Sequence, residues 1–190
     1  MSVKRVAIIC GGRSSEHPIS CISARGVLGA IDRDAYEPVL IGITEEGQWV
    51  QLGSADDFVT GSDGLPYVPK STQVLNIDVH GIKDAQGKNL KIDLAFPLLH
   101  GAYGEDGTIQ GLFEMADIAY VGSGVLASAV AMDKTFAKPI YADFGLKVAD
   151  GITIHEREWK NNKALERAKI SALGFPVFVK PARSGSSRGT

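Results

Sequence analysis

The chain has 190 residues, with 22 acidic and 20 basic side chains and a formal net charge of −2. This balance argues against the basic surface that nucleic-acid-binding and membrane-surface proteins carry, so we expect neither partner. The hydrophobic fraction of 44% can build a core, but no apolar run resembles a signal peptide or approaches the roughly 18 residues of a membrane span. The two cysteines, Cys10 and Cys21, fit no metal-site spacing, so we expect reduced core thiols in a cytoplasmic protein.

The first predicted element is an apolar strand over residues 6–10, which runs into the glycine turn Gly11–Gly12 and then reaches a carboxylate, Glu16. Open α/β sheets bind ligands at the carboxyl ends of their strands, beside turns of this kind. Glu16 is therefore a candidate ligand-binding residue, although the helix dipole alone also favours a carboxylate at a helix start. The following helix should bury one apolar face, formed by Ile19, Ile22, Gly26, Val27 and Ala30.

Residues 36–44 form the second predicted strand, which completes a βαβ unit with a right-handed crossover. A turn at residues 45–47 then leads back into a short strand over residues 48–50. Residues 53–87 have weak patterning and predict an antiparallel elaboration at the sheet edge, with His80 on the surface.

A buried strand over residues 92–99 ends at His100, which shares the predicted sheet edge with Glu16. This shared edge makes His100 a second candidate site residue, although a single histidine at a strand end is often only hydrogen-bonded. The next helix should bury Ile109, Leu112, Phe113 and Ala116. A short strand is expected over residues 118–121.

Two helices should follow, over residues 125–132 and from the capping residue Asp133 to residue 144. Pro139 should kink the second helix or delay its start, and Gly145 should end it. Beyond Gly145 we expect strands over residues 148–154 and 177–180. Between those strands a helix should pack through Leu165, Ala168 and Ala172. Residues 1–145 are therefore interpreted as one domain, and residues 146–190 as the beginning of a second domain that is truncated at Thr190.

The motif Gly122-x-Gly124-x-x-Ala127 leaves a different function open. It follows a strand, opens a helix and has Asp143 about 20 residues further on, as dinucleotide-binding folds require. However, Asp143 falls in helical sequence, not at a strand tip where a ribose could bind. A nicotinamide-dependent oxidoreductase module therefore remains an alternative, as does a non-catalytic dimerisation domain. Residues 185–189 could bind a phosphate through backbone amides, but they lack the Gly-Lys-Ser/Thr ending of a P-loop.

Five blocks occur in the order found in one known family, and the chain resembles the D-alanine–D-alanine ligases of the ATP-grasp class. The blocks are Gly11-Gly12-Arg13-Ser14-Ser15-Glu16-His17-Pro18-Ile19-Ser20, Leu99-His100-Gly101 with Gly104-Glu105-Asp106-Gly107-Thr108-Ile109-Gln110-Gly111, Tyr120-Val121-Gly122-Ser123-Gly124-Val125, Met132-Asp133-Lys134, and Val179-Lys180-Pro181-Ala182-Arg183-Ser184-Gly185-Ser186-Ser187. The resemblance implies an α/β fold with an open parallel, Rossmann-like (pre-ATP-grasp) sheet and flanking helices, followed by the start of an ATP-grasp central domain.

The resemblance also implies a reaction. ATP phosphorylates the carboxylate of one D-alanine, and the amine of a second D-alanine attacks the acyl phosphate to give the dipeptide used in peptidoglycan. Glu16 would hold the ammonium group of the first D-alanine, because a carboxylate gives a charge-assisted hydrogen bond. His100 and Gly101 would lie beside that substrate.

Three further residues have implied roles. Ser186 would act with Glu16 in the catalytic site, while Lys134 and Lys180 would contact the ATP phosphates. The resemblance further implies a homodimer formed through the N-terminal domain, and Mg²⁺ ligands beyond residue 190, with no metal site within this chain. We therefore expect the 190-residue chain to be inactive alone. Three positions depart from the family pattern, namely Pro139, Lys147 and Arg188.

Overall fold

A computed structural model describes residues 3–185 of the chain. The described residues fall into two compact units, which are divided between Ala129 and Val130. The units meet earlier in the chain than the predicted domain boundary after Gly145, and that boundary stays a prediction. None of the helices in the described part of the chain is long and apolar enough to cross a membrane.

The first unit is built on a four-stranded sheet. Strand β1 (Lys4–Gly11) pairs in parallel with both β2 (Tyr36–Ile43) and β8 (Leu94–Pro97), while β3 (Trp49–Leu52) is antiparallel to β2. The order across the sheet is β3-β2-β1-β8. The central strand β1 is apolar without alternation because both of its faces are covered, as is usual for parallel strands. The predicted α/β fold with a parallel sheet is confirmed, as is the antiparallel return after β2.

Helix α1 (His17–Ala30) turns a different face to the sheet from the one predicted, although Val27 of the predicted face packs partly against the core. Ile19 and Ile22 are each 45% exposed, whereas the residues turned inward are His17, Pro18, Ser20, Cys21 and Ala24. The reason is a hydrogen-bonding one. The Ser20 hydroxyl accepts from the Gly11 amide at 2.8 Å and donates to the Leu98 carbonyl at 2.6 Å. This serine therefore links the ends of two strands and holds its own side of the helix against the sheet.

Residues 53–87 form an antiparallel elaboration, as predicted. A 3-10 helix (Ala55–Asp57) precedes two short hairpins, which pair β4 (Val59–Thr60) with β5 (Pro66–Tyr67) and β6 (Asn76–Asp78) with β7 (Gly81–Lys83). His80 is exposed between β6 and β7, as expected. Val74 bridges to Val50 of β3, which ties this region to the sheet edge.

Helix α2 (Thr108–Met115) follows β8 and buries Ile109 and Phe113, in agreement with the predicted face. The strand expected at residues 118–121 is reduced to one parallel bridge, between Tyr120 and Ala95. Helix α3 (Val125–Met132) runs across the division between the two compact units.

The described part of the second unit contains α4 (Lys134–Asp143), α5 (Glu156–Asn161) and α6 (Lys163–Ala172). Asp133 caps α4 as predicted, and the helix starts at Lys134 and continues through Pro139, so a delayed start is wrong. The strands expected at residues 148–154 and 177–180 are also wrong, since neither stretch pairs with another strand within the described residues. A strand needs such a partner for its backbone hydrogen bonds.

Helix α6 buries a different residue from those expected. Leu165 is 51% exposed, whereas Glu166 is 2% exposed and accepts from the Lys169 ammonium at 2.7 Å. The ammonium of Lys169 makes this burial possible, because a buried carboxylate needs a charged or hydrogen-bonding partner. The predicted apolar side of α6 is therefore wrong.

Candidate functional site

The glycine turn after β1 and the loop after β8 meet where the two parallel strands end. Glu16 is the residue before α1, and its amide donates to the Ser14 hydroxyl oxygen at 3.1 Å. The Ser14 hydroxyl in turn donates to the His100 carbonyl at 2.6 Å. Ser14 therefore links the segment carrying Glu16 to the segment carrying His100, which lies 86 residues further along the chain.

Gly101 lies directly against the Glu16 side chain. Its φ of +71° is in the left-handed region, and a Cβ atom placed on it would lie 2.9 Å from Glu16 Oε2. A side chain at position 101 would thus be strained and would crowd the carboxylate. The structure brings together Glu16, His100 and Gly101, the three residues expected at the substrate site. Their roles stay predictions.

The imidazole of His100 is also held by helix α1. His100 Nε2 lies 3.1 Å from the Ser23 hydroxyl oxygen, and that hydroxyl donates to the Ile19 carbonyl at 3.0 Å. Ser14 and Ser23 were not singled out from the sequence, because their partners are set by tertiary contacts. Each serine also has a common local partner: Ser14 accepts from the amide two residues on, and Ser23 donates to the carbonyl four residues earlier.

The buried His17 side chain holds the glycine turn in place through hydrogen bonds. Its side chain is 1% exposed, with Nδ1 2.7 Å from the Gly12 carbonyl oxygen and Nε2 accepting from the Val68 amide at 3.0 Å. Nδ1 therefore carries the hydrogen that is donated to Gly12. The ring also stacks on Tyr67, with 5.3 Å between ring centroids. His17 thus joins the turn to the edge hairpin and fixes the backbone next to Glu16, a role that the sequence did not reveal.

Cys10 and Cys21 are buried free thiols, as predicted. A hydrogen bond to Cys21 and burial together raise the pKa of the Cys10 thiol well above its usual value. Cys10 is therefore a protonated core side chain beneath the glycine turn.

The Gly-Glu-Asp-Gly block, residues 104–107, is a folded loop whose carboxylates bind backbone amides. Glu105 accepts from the Gly101 amide at 2.7 Å, and Asp106 accepts from Tyr103 at 2.9 Å and from Thr108 at 3.1 Å. Burial alone would raise the pKa of Asp106, but these hydrogen bonds lower it overall. The block therefore shapes the loop that carries Gly101.

Lys134, an expected phosphate-binding residue, binds backbone oxygens in the second unit. Its ammonium donates to the carbonyls of Ser184 at 2.6 Å, Pro181 at 3.3 Å and Ala182 at 3.5 Å. Lys180 comes immediately before this loop, with Nζ 5.8 Å from the centroid of the Phe178 ring. Lys134 thus lies against the loop that follows Lys180. The predicted catalytic residue Ser186 lies outside the described residues, as does Arg188.

Asp133 anchors the same loop through Arg183. Its carboxylate accepts from the Thr135 hydroxyl at 2.6 Å and from Arg183 Nε at 2.8 Å. The hydrogen bond from Thr135, together with the Arg183 guanidinium, lowers the pKa of Asp133 from 3.8 to about 2. The ionised carboxylate is therefore the form that holds the loop.

We expect the Asp133 carboxyl group to titrate at about 2, and its pKa to rise when Arg183 is replaced by Ala. Because the pKa in the folded chain is below the unfolded value, this anchor stabilises the fold above about pH 4 and is lost as the pH falls toward 2. Carbon-13 NMR of the carboxyl group measures the titration. Arg167→Ala serves as the control, because Arg167 packs on Trp159 instead. An ordinary pKa for Asp133 in the unmodified chain would contradict the assignment.

The glycine motif at Gly122 gives little support to dinucleotide binding. Asp143 is the last residue of helix α4 and not the tip of a strand, so the motif lacks the carboxylate that would bind a ribose.

Within residues 3–185, no three His, Cys, Asp or Glu side chains are grouped so that they could hold a metal ion. The expectation of Mg²⁺ ligands beyond residue 190 stays a prediction.

Comparisons with known proteins agree with the resemblance in the sequence. Residues 5–123 match the family described as D-ala D-ala ligase N-terminus, and residues 140–190 match D-ala D-ala ligase C-terminus. The D-alanine--D-alanine ligase of Paenarthrobacter aurescens (strain TC1) is 48% identical over 97% of this chain and 52% of its own length. That of Streptomyces coelicolor is 41% identical over 97% of this chain and 52% of its own length. The chain spans about half the length of the curated relatives it matches.

Solved structures of D-alanine ligases are also similar to this chain. The VanG D-Ala:D-Ser ligase from Enterococcus faecalis superposes with a TM-score of 0.80 and 33% identity, covering 98% of this chain and 54% of that one. The D-alanine-D-alanine ligase from Coxiella burnetii gives a TM-score of 0.74 and 28% identity, covering 89% of this chain and 50% of that one.

Proposed function

The chain belongs to the D-alanine–D-alanine ligase family, and we propose that it supplies the N-terminal part of an enzyme that uses ATP to join two D-alanine molecules. The observation that carries this proposal is the grouping of Glu16, His100 and Gly101 at the ends of parallel strands, where α/β folds bind ligands. The relatives that share these segments are named as ligases of D-alanine.

The amino-acid half of the reaction is assigned to the first unit. The Glu16 carboxylate forms a charge-assisted hydrogen bond with the ammonium of the first D-alanine, and His100 lies beside it. Gly101 supports the placement, because its missing side chain leaves room for Glu16 Oε2. Binding the ammonium in this way would orient the substrate carboxylate for phosphorylation.

The nucleotide half is assigned to the loop after Lys180. The substrate carboxylate attacks the γ-phosphorus of ATP and ADP leaves; the amine of the second D-alanine then attacks the acyl carbon and phosphate leaves. Lys134 and Lys180 would offset the negative charge on the phosphates, and Ser186 is proposed as a further catalytic residue. The Lys134 ammonium now donates to the Ser184 carbonyl of this loop, so binding a phosphate would require it to exchange that partner. Residues 3–185 contain no group of His, Cys, Asp or Glu side chains that could hold Mg²⁺.

We further propose that the enzyme is a cytoplasmic homodimer that associates through the first unit. Exposed Ile19 and Ile22 on α1 support an apolar contact of this kind, and the buried free thiols fit a reducing compartment. Sedimentation velocity at micromolar concentration tests the dimer, which a purely monomeric boundary would exclude.

The full-length gene product should convert ATP and D-alanine to D-alanyl-D-alanine, ADP and phosphate in the presence of Mg²⁺. The 190-residue chain should not, because it spans only about half the length of the ligases it matches. Coupled ADP release and mass spectrometry of the dipeptide measure both, with D-serine as a competing acceptor. A full-length product without ligase activity would overturn the function, while robust dipeptide formation by the 190-residue chain would overturn its inactivity. NADH binding by fluorescence titration would instead favour the oxidoreductase alternative.

A further inference from the structure

Ser23 connects helix α1 to the ring of His100 and lies outside the five sequence blocks. It lies seven residues after Glu16, which is close to two helical turns and therefore on the same side of α1. Its hydroxyl oxygen is 3.1 Å from His100 Nε2, and its hydrogen is donated to the Ile19 carbonyl at 3.0 Å. One side chain thus joins the helix backbone to a predicted substrate-site histidine.

The directions of these two hydrogen bonds determine which nitrogen of the His100 imidazole carries the hydrogen. A serine hydroxyl has one hydrogen and can accept through its lone pairs. Because the Ser23 hydrogen is directed to Ile19, the bond to His100 requires Nε2 to donate. The opposite arrangement would give up the Ile19 bond, which serine in a helix commonly forms. In the neutral ring, Nε2 therefore carries the hydrogen and Nδ1 carries the acceptor lone pair.

The backbone of His100 is fixed independently, by the 2.6 Å hydrogen bond from the Ser14 hydroxyl to its carbonyl. The residue is thus held at two points, and a flip of the ring would break the contact with Ser23. Both anchors come from the segment that carries Glu16, so the carboxylate and the imidazole are positioned by the same part of the chain.

We propose that Ser23 is a positioning residue that fixes His100 as the Nε2–H tautomer and so keeps Nδ1 as an acceptor for the substrate ammonium. This inference rests on the proposed function, in which Glu16 and His100 bind the first D-alanine. An ammonium group has three donors, so a carboxylate and a neutral imidazole nitrogen can both accept from it. The protonated ring would have no acceptor to offer.

The tautomer can be measured by long-range proton–nitrogen NMR of the nitrogen-15-labelled 190-residue chain, at a pH where the ring is neutral. The His100 signals are assigned by their loss in the His100→Gln variant. We expect Nε2 to carry the hydrogen in the unmodified chain and in Ser23→Thr, which keeps the hydroxyl. Ser23→Ala should shift the ring toward a mixture of tautomers. A Nδ1–H ring or a mixture in the unmodified chain overturns the proposal even if Ser23→Ala fails to fold. An unchanged pattern in a folded Ser23→Ala also overturns it.

Kinetics of the full-length gene product give the second measurement. Ser23→Ala should raise the KM for the first D-alanine by about fivefold to tenfold, as expected for one hydrogen bond, with a smaller change in kcat. Ser23→Thr should stay within about twofold of the unmodified enzyme. A Ser23→Ala enzyme with unchanged KM, or a Ser23→Thr enzyme that is equally impaired, contradicts the positioning role. Absence of ligase activity would overturn the proposed function and leave the NMR result standing, so the two failures are distinguishable.

Discussion

Glu16→Gln is expected to weaken binding of the first D-alanine by roughly tenfold to a hundredfold, measured as a higher KM in the full-length gene product. A hydrogen bond to a charged group contributes about 1.5–3 kcal/mol, and each 1.4 kcal/mol is about tenfold in affinity. Gln keeps the length of the side chain and leaves the backbone bond from residue 16 to Ser14 intact. The variant therefore removes the charge while preserving the local fold.

Glu46→Gln is the matched control for this experiment. Glu46 lies in the turn between β2 and β3, and its exposed side chain pairs with Lys70 at 3.1 Å, so its substitution should leave the KM for D-alanine unchanged. An unchanged KM in Glu16→Gln would remove Glu16 from the ammonium site. A loss confined to kcat would assign it a role after binding.

Gly11→Ala should destabilise the first unit by about 2–5 kcal/mol. The residue has a φ of +85°, and an added Cβ would lie 2.3 Å from the Ile43 carbonyl oxygen and 2.9 Å from His17 Cε1. The left-handed backbone costs a non-glycine residue about 1–2 kcal/mol, and overpacking adds about 1–3 kcal/mol. Urea unfolding followed by circular dichroism measures the loss.

Gly26→Ala provides the control with the same chemical change. Gly26 lies inside helix α1, and an added Cβ would meet no heavy atom within 4 Å. This substitution should stabilise the chain by about 0.5–1 kcal/mol, because alanine favours the helix and loses less backbone entropy. Equal unfolding midpoints for Gly11→Ala and the unmodified chain would show that the turn can relax around a side chain.

The sequence predicts the parallel sheet and the meeting of Glu16 with His100, because an apolar strand followed by glycine is a local pattern. It does not predict Ser14 or His17, whose hydrogen-bond partners lie 86 and 51 residues away. Hydrophobic periodicity also does not predict the buried side of α6, because it cannot reveal that Glu166 pairs with Lys169. The strands expected at residues 148–154 and 177–180 are absent from the described structure for a related reason. An apolar stretch of sequence does not reveal whether another strand lies beside it to pair with.

The orientation of helix α1 has a consequence for how this protein can evolve. Its inner side, with His17 and Ser20, carries the hydrogen bonds that hold the strand ends, while its outer side carries Ile19 and Ile22. Because the exposed isoleucine side chains take no part in those hydrogen bonds, substitutions on the outer side can accumulate while the inner side stays fixed. A lineage could thus alter what this surface contacts, residue by residue, without breaking the hydrogen bonds that hold the strand ends.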